Sequence, residues 1–560
     1  MAQIELPFAH DKGENGRDSG SDRRLRSLLP KPLKEACENS SFLEDYLHWL
    51  PMDEIGVPDY YPKLSRSLKD LQVRNLIYPI GGGLFVHVYP DPGERDTYIP
   101  IEPLMTVDLD DILPDVETGL LDWTEEIGGA ETEEEKREAL LRAIDAIVTT
   151  NGSVGKIQVT PKQLEGIKYV ITRDKAGLSV LQPLLLDPYI EDISCSGAGP
   201  LFIEHKVFGS LQCAITFPEV ADVDQFVIWM GEWIKRPVTV RNPIVDSTLP
   251  DGSRINIVYG TDISKRGSNF TIRKFSETPA SIMEVIEWGT MDYMMAAYLS
   301  FVLEEGMNMF VVGATASGKT TTMNAITTFI LPDKKIVSIE DTPELQVPHK
   351  NWIREMTRGT GRDNEGSAVG MFDLLKAALR QRPDRIIIGE IRGEEGAIAF
   401  QAMQTGHGVI STFHAASVEK LIQRLTGDPI NIPRAYVDSL DVVLIQSAVK
   451  APGGAGMVRR VLSINEIVGY DPLSQSFSFI ETFRWNPTRD TFDFPGYMNS
   501  YLLEEKVAMR RGIPPFKRKA IYTELKRRAK IFERLHKERK VRKFDDVFRI
   551  LAEAHRQGLL

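Results

Sequence analysis

The chain has 560 residues, 42% of them hydrophobic and 26% charged, and a formal net charge of −12. That length allows about three or four domains, and no apolar stretch reaches the ~18 residues that a membrane span needs. Cys37, Cys195 and Cys213 lie far apart with no C-x-x-C pair, which argues against a disulfide framework and against a four-cysteine zinc module, and favours a reducing cytoplasm.

Residues 1–40 are polar and rich in Gly and Arg, and read as a mobile segment without a signal peptide. From 41 to about 115, NLIYPI, GGGLFVHVYP and DTYIPIEP read as short strands between Gly/Pro turns. An acidic stretch from Asp108 to Glu138 leads into a helix with Leu140, Leu141, Ile144, Ile147 and Val148 at helical spacing. A second helix is expected from Pro161 to Arg173, with proline at its start. Region 178–275 mixes strands (LFIEHKVFG, LQCAITF), a helix near Val223 to Trp233, and RNPIVDSTLPDGSR as a Pro/Asp/Gly-rich loop. Ser276 to Ser281 mark a domain boundary. Tyr293 to Leu303, closed by Glu304-Glu305, reads as a buried helix, and strands then alternate with helices to about 448, as in a parallel sheet covered on both faces. The remainder starts with strands (RRVLSINEIVGYD, SFSFIETFRW) and ends as basic helices, with 16 Lys/Arg against 3 Asp/Glu between Lys506 and Lys543. Such a block is expected to meet something negative or to be a solvated face.

The most informative segment is Gly313-Ala314-Thr315-Ala316-Ser317-Gly318-Lys319-Thr320, a G-x-x-x-x-G-K-[ST] phosphate loop. It follows the apolar run Met309 to Val312 and precedes the helical segment from Thr321, the context that the motif needs. Its backbone N–H groups wrap phosphates, Lys319 supplies a point charge, and the Thr320 hydroxyl ligates Mg²⁺. A nucleoside triphosphate is the expected ligand.

Three further blocks follow. IVSIEDTPE ends an apolar strand in Glu340 and Asp341, RPDRIIIGE ends one in Gly389-Glu390, and TGHGVISTFHA brackets one with His407 and His414. Strand ends of this kind bind ligands in α/β sheets. Hydrolysis needs one carboxylate for the water and another for Mg²⁺, and Glu340 and Glu390 can supply both. Taken singly, a strand-end acid is more often a cap or a solvated loop residue. The two histidines lack a third ligand for a metal and suit sensing of the γ-phosphate or of a neighbouring subunit.

In order and spacing, these blocks resemble the Walker A, Asp box, Walker B and His box of the type II/IV secretion ATPase superfamily, the hexameric motors of type IV pili, type II secretion and the archaellum. IVDSTLPDGSRINIVYG, followed by FTIRKF, is similar to the region joining that family's N-terminal domain to its linker. LQPLLLDPYIEDISCSG and RRVLSINEIVGYDP look like the archaeal branch, most like the archaellum motor. The resemblance implies Glu340 as general base, Glu390 acting on Mg²⁺ and water, and Arg241, Arg254 and Arg273 as candidates to reach the phosphates; planar, always charged donors suit charge on a transferred phosphoryl group.

The expected fold is α/β, a RecA-like phosphate-loop core with a mostly parallel sheet and flanking helices. A flexible linker joins it to an α/β N-terminal domain, with an N-terminal extension and a basic helical C-terminal region. The expected divisions are 1–40, a regulatory or partner-binding region 41–150, an N-terminal domain 151–275, a linker 276–282, the ATPase domain 283–448 and a C-terminal region 449–560. ATP and Mg²⁺ are the implied cofactors. Implied partners are a homohexamer, a polytopic membrane platform protein, an accessory ATPase-like regulator and an anionic membrane surface at the inner face of the cell membrane. No nucleic acid is expected, although a RecA-like translocase is the alternative class, and archaeal pilus assembly or secretion the alternative role. A phosphate-loop kinase is disfavoured, since no acceptor pocket is legible.

Overall fold

The computed structural model describes residues 2–8, 25–65, 68, 71, 73–91, 93, 95–130, 132–152, 155–275, 278–358, 369–450 and 457–559. The chain forms two compact units, Met1–Phe275 and Ser276–Leu560.

In the first unit the strands are β1 Gln3–Ile4, β2 Asp59–Tyr60, β3 Leu76–Pro79, β4 Phe85–Tyr89, β5 Thr97–Ile101, the short pair β6 Val148–Thr149 and β7 Ile157–Gln158, then β8 Ile190–Cys195, β9 Gly199–His205, β10 Gly209–Phe217, β11 Ile244–Thr248, β12 Arg254–Val258 and β13 Asn269–Arg273. Apart from β6 and β7, they form one sheet in the order β11-β12-β13-β8-β9-β10-β5-β4-β3-β2, with β1 also on β10. The expected division at 150/151 is therefore corrected: β10 pairs with β5 through Gln212↔Thr97 and Cys213↔Tyr98. A polar contact ties the same segments. Tyr78 and Tyr98 donate to Oδ2 of the buried Asp187 carboxylate at 2.6 and 2.9 Å, and without residues 41–150 that oxygen would lose both donors, leaving only the Tyr189 N–H on Oδ1.

The segment read as a Pro/Asp/Gly-rich loop is also corrected, because it forms the hairpin β11–β12, with Ser247 opposite Ile255. Its turn follows local chemistry: Asp251 accepts from the Ser253 N–H and hydroxyl at 2.9 and 2.8 Å, and Gly252 takes φ 87°. The helices Glu133–Ile147 and Pro161–Ala176 start at Thr132 and Thr160, each closing a capping box with the residue three positions on.

The second unit has β14 Met309–Val312, β15 Ile336–Glu340, β16 Trp352–Met356, β17 Arg385–Ile388, β18 Gly408–Phe413, β19 Val442–Lys450, β20 Met457–Asp471, β21 Ser476–Asn486 and β22 Thr491–Asp493, in the sheet order β16-β15-β17-β18-β14-β19-β20-β21-β22. The first six in that order are parallel, and β20 to β22 add an antiparallel meander. This is the expected mostly parallel core; β14, β15 and β17 are buried along their length, which is why they read as largely apolar runs rather than alternating ones. The boundary expected at 448/449 falls inside continuous pairing from Val442↔Glu466 to Lys450↔Met457, so the C-terminal strands extend the same sheet. In the expected linker, 276 and 277 lie outside the described residues, and Ser281 already caps the helix Ile282–Glu287 with Glu284.

The basic C-terminal helices belong to this core. Leu525 and Phe532 are buried, Phe532 stacks on Phe329 at 5.5 Å, and Ile531 and Leu535 pack at the margin. Not all of the basic block is the solvated face that its composition suggests, and Arg528 is the exception. It is buried, pairs with the buried Glu304 and lies 4.0 Å over the Phe301 ring. Lys526 and Arg527 are exposed and bonded to the Tyr497 hydroxyl and to Glu524. Among the described residues, no helix is long and apolar enough to cross a membrane.

Candidate functional site

The phosphate loop leaves the carboxyl end of β14 and becomes the helix Lys319–Thr327 at Gly318, whose φ is 89°. Ala316 is also left-handed, at φ 59°, so the loop holds a curvature that the chain rarely adopts unaided. Gly313 is necessary for a different reason, since a Cβ there would fall 2.2 Å from the Gln446 carbonyl oxygen. Ala314, Thr315 and Ala316 are exposed, Ser317 and Lys319 are buried, and Thr320 and Thr321 open the helix, half-buried and exposed. The Lys319 ammonium donates to the Ala314 carbonyl at 3.0 Å. Burial lowers its pKa, against the pull of Glu390 and Glu344. A desolvated ammonium in a ring of backbone N–H groups is suited to the charge of phosphates.

Glu390 follows β17, and its carboxylate is held on both sides. Arg392 donates to Oε2 at 2.6 Å, and His414 Nε2 lies 2.8 Å from Oε1. His414, just past β18, has its Nδ1 3.5 Å from the Lys319 ammonium. Lys319, His414 and Glu390 thus form one line across the carboxyl ends of β14, β18 and β17. Arg392 also reaches Asp341 at 3.7 Å, linking the second and third blocks.

Two of the expected residues stand apart from that line. Glu340, read as the general base, is buried with both oxygens engaged: Oε1 accepts the N–H groups of Glu344 and Leu345 at 2.8 and 2.7 Å, and Oε2 faces Arg354 Nε at 3.3 Å. Burial raises its pKa to about 7 despite these donors. Glu340 therefore anchors the turn after β15. His407 precedes β18 whereas His414 follows it, and the six residues between them span roughly 20 Å at a strand's rise per residue. It bonds Thr405 at 3.1 Å and borders a cleft with Asp438 and Lys506 at the opposite end of the sheet. His407 thus lies away from the phosphate loop of its own chain.

In the first unit, Arg254 and Arg273 stand directly opposite each other on β12 and β13. Arg273 meets Asp192 at 3.3 Å and Arg254 approaches Asp246 at 3.9 Å. Arg241 is exposed before β11. The sequence reading missed Gln446, Arg392, Arg354 and Arg459. Gln446 and Arg459 contact the loop from strands far along the chain, with no motif around them; Arg392 was legible, two residues after Glu390.

Fold and site define a phosphate-loop nucleotide-binding core on a mostly parallel sheet. Residues 174–453, half of the chain, match the family described as Type II/IV secretion system protein, and the chain belongs to that family. It is 43% identical over 518 residues to the uncharacterized protein MJ0900 of Methanocaldococcus jannaschii, covering 90% of this chain and 93% of that one. It is 33% identical over 266 residues to the type IV secretion system protein PtlH of Bordetella pertussis, covering 41% of this chain and 76% of that one. Among solved structures, the ATPase DotB of Yersinia pseudotuberculosis aligns at TM-score 0.38 and 18% identity over 67% of this chain and 92% of that one.

Proposed function

We propose that the chain is an ATP-hydrolysing hexameric motor that powers assembly of a type IV pilus-like filament through a polytopic membrane platform protein. The archaellum is the first choice of filament, and archaeal pilus assembly or secretion the second, with an accessory ATPase-like regulator as a further partner. One observation carries the enzymatic part: the line Lys319–His414–Glu390 at the mouth of the phosphate loop. The motor part rests on family membership and on the four-block resemblance.

The residues fit the implied nucleotide. The loop is curved, its two glycines have no room for a side chain, and its ammonium is buried with no carboxylate bond among the described residues. Thr320 and Glu390 would hold Mg²⁺. When bound, ATP with Mg²⁺ supplies the phosphoryl group and its leaving group. Glu390, held by Arg392 and His414, is proposed to act on Mg²⁺ through its waters and to take the proton of the attacking water; Glu340 and Arg354 fix the turn that carries Asp341. Arg241, Arg254 and Arg273 are proposed to complete the site of a neighbouring subunit, and His407 to meet a neighbouring subunit at the other end of the sheet.

The chain is placed at the inner face of the membrane without a nucleic-acid partner. Four arginines of the basic limb, Arg511, Arg518, Arg527 and Arg528, are committed to glutamates, which leaves fewer free cations for a phosphate backbone. The test is phosphate release from MgATP by the purified chain and by Lys319→Ala, with and without anionic vesicles and single-stranded DNA. Hydrolysis lost in Lys319→Ala and insensitive to DNA is expected; stimulation by DNA alone would overturn the motor reading in favour of a translocase.

A further inference from the structure

We infer that Gln446 is the positioning residue that sets the phosphate loop in its binding conformation, acting from a strand more than a hundred residues downstream of the motif. The inference rests on the nucleotide site proposed above and names what prepares it.

Gln446 is buried, at 2% exposure, on β19 beside the end of β14. The parallel register stops at Val312↔Ile445, so Gln446 is the next residue along, opposite the start of the loop. The ladder between β19 and β20 is irregular at this point: Ile445 pairs with Ser463 and Gln446 with Val461, so Leu462 falls between them. Bulges of this kind bend a strand locally and redirect a side chain, and they occur next to active sites.

The amide of Gln446 is used at both ends. Nε2 donates to the Ser317 carbonyl at 2.9 Å, and Oε1 accepts the Thr322 hydroxyl at 2.7 Å. A carbonyl can only accept and must face the NH₂ group, so both bonds agree on one orientation of the amide. A trans peptide points its C=O and the next N–H in opposite directions. Holding the Ser317 carbonyl outward against Gln446 therefore turns the Gly318 N–H toward the concave side of the loop, where phosphate oxygens are bound. Thr322, on the helix that the loop becomes, fixes the amide that fixes the peptide.

The same residue accounts for both glycines of the motif. A Cβ on Gly313 would lie 2.2 Å from the Gln446 backbone oxygen, and one on Gly318 would lie 2.8 Å from Gln446 Nε2. The loop thus packs against Gln446 at both of its glycines. Arg459 on β20 adds an outer contact, its Nε donating to the Ala316 carbonyl at 3.3 Å.

The experiment measures MgADP affinity by calorimetry, ATP turnover and the unfolding midpoint of the nucleotide-free chain, for the full-length protein and its variants. Gln446→Leu keeps the bulk and removes both bonds; it should weaken MgADP binding about tenfold or more and raise KM for ATP more than it lowers kcat. Thr322→Val should weaken binding severalfold, Thr322→Ser should restore it, and adding Thr322→Val to Gln446→Leu should change little further, because both act through one amide. If Gln446→Leu lowers the unfolding midpoint and leaves MgADP affinity within twofold, Gln446 is a core side chain and the inference is wrong. Should Gln446→Leu not fold, Thr322→Val decides alone, and unchanged affinity there overturns the inference. Failure of the unaltered chain to bind MgADP would instead refute the nucleotide site itself.

Discussion

Nε2 of His414 lies 2.8 Å from Oε1 of Glu390, and this contact fixes the protonation state of the ring. Its other nitrogen faces the Lys319 ammonium at 3.5 Å, and an ammonium has only donors, so Nδ1 accepts and Nε2 carries the proton. His414 is neutral in this arrangement. Burial, more than Glu390 opposes it, lowers its pKa from the usual 6.5, with Lys319 adding to the lowering. Acid should then protonate Nδ1, set a second cation against Lys319 and weaken hydrolysis, with an apparent midpoint below 6.5. His414→Asn should remove that acid limb and reduce kcat on the order of tenfold to a hundredfold. A pH–kcat profile of the unaltered chain that stays flat down to pH 5 would refute this assignment.

The two carboxylates separate by substitution. Glu390→Gln should lower kcat on the order of 10²- to 10⁴-fold with MgATP binding within a few-fold, because the amide keeps the shape and loses the base. Glu340→Gln should retain measurably more turnover, since its oxygens hold backbone N–H groups. The reverse order would restore Glu340 as the base.

Glu340 also leaves a signature in stability. Its pKa of about 7 in the folded chain stands above its ordinary 4.5, so the folded state binds the proton more tightly than the unfolded state. Stability from this group is present below about pH 4.5, declines as pH rises toward 7, and is fully lost above that, on the order of 3 kcal/mol in all. Glu340→Gln should flatten the fall in unfolding midpoint between pH 5 and 8 relative to the parent. Parallel curves for the two proteins would show that the proton is not held there.

Arg254 and Arg273, opposite each other on β12 and β13, are expected to act on another subunit's nucleotide. Chains carrying Lys319→Ala and chains carrying Arg273→Ala should each be inactive alone and regain a fraction of the activity when mixed. No recovery at any ratio would place the arginine in the same chain as the loop that it serves.

Within the basic limb, position decides consequence. Arg528→Glu should destabilise the second unit by about 3–5 kcal/mol, because Glu304 would face a second buried carboxylate. Lys526→Glu and Lys530→Glu, both on exposed positions, should shift the unfolding midpoint by little. If the limb meets an anionic leaflet, the same pair should weaken binding to vesicles containing phosphatidylserine in a salt-dependent manner. Unchanged sedimentation with such vesicles would make the limb an ordinary solvated face.

The sequence by itself determined what local order can encode. The phosphate loop, its flanking strand and helix and the apolar strands ending in Glu340 and Glu390 are contiguous, so period and motif sufficed. The helices at 133–147 and 161–176 were legible from spacing and caps. Tertiary structure alone decided which distant groups meet. Glu340 and Glu390 look alike as strand-end acids, and only the turn closing over one and the His414 ring reaching the other gave them different surroundings. His407 and His414 look like a pair, yet a parallel strand puts residues on either side of it at opposite ends of the sheet. Pairing of β5 with β10 joined segments read as separate domains, and Glu304 drew Arg528 out of a run of cations. Gln446 had no signal at all, because its side-chain bonds reach a loop residue, 317, and a helix residue, 322, far back along the chain, and such bonds leave no period in the sequence.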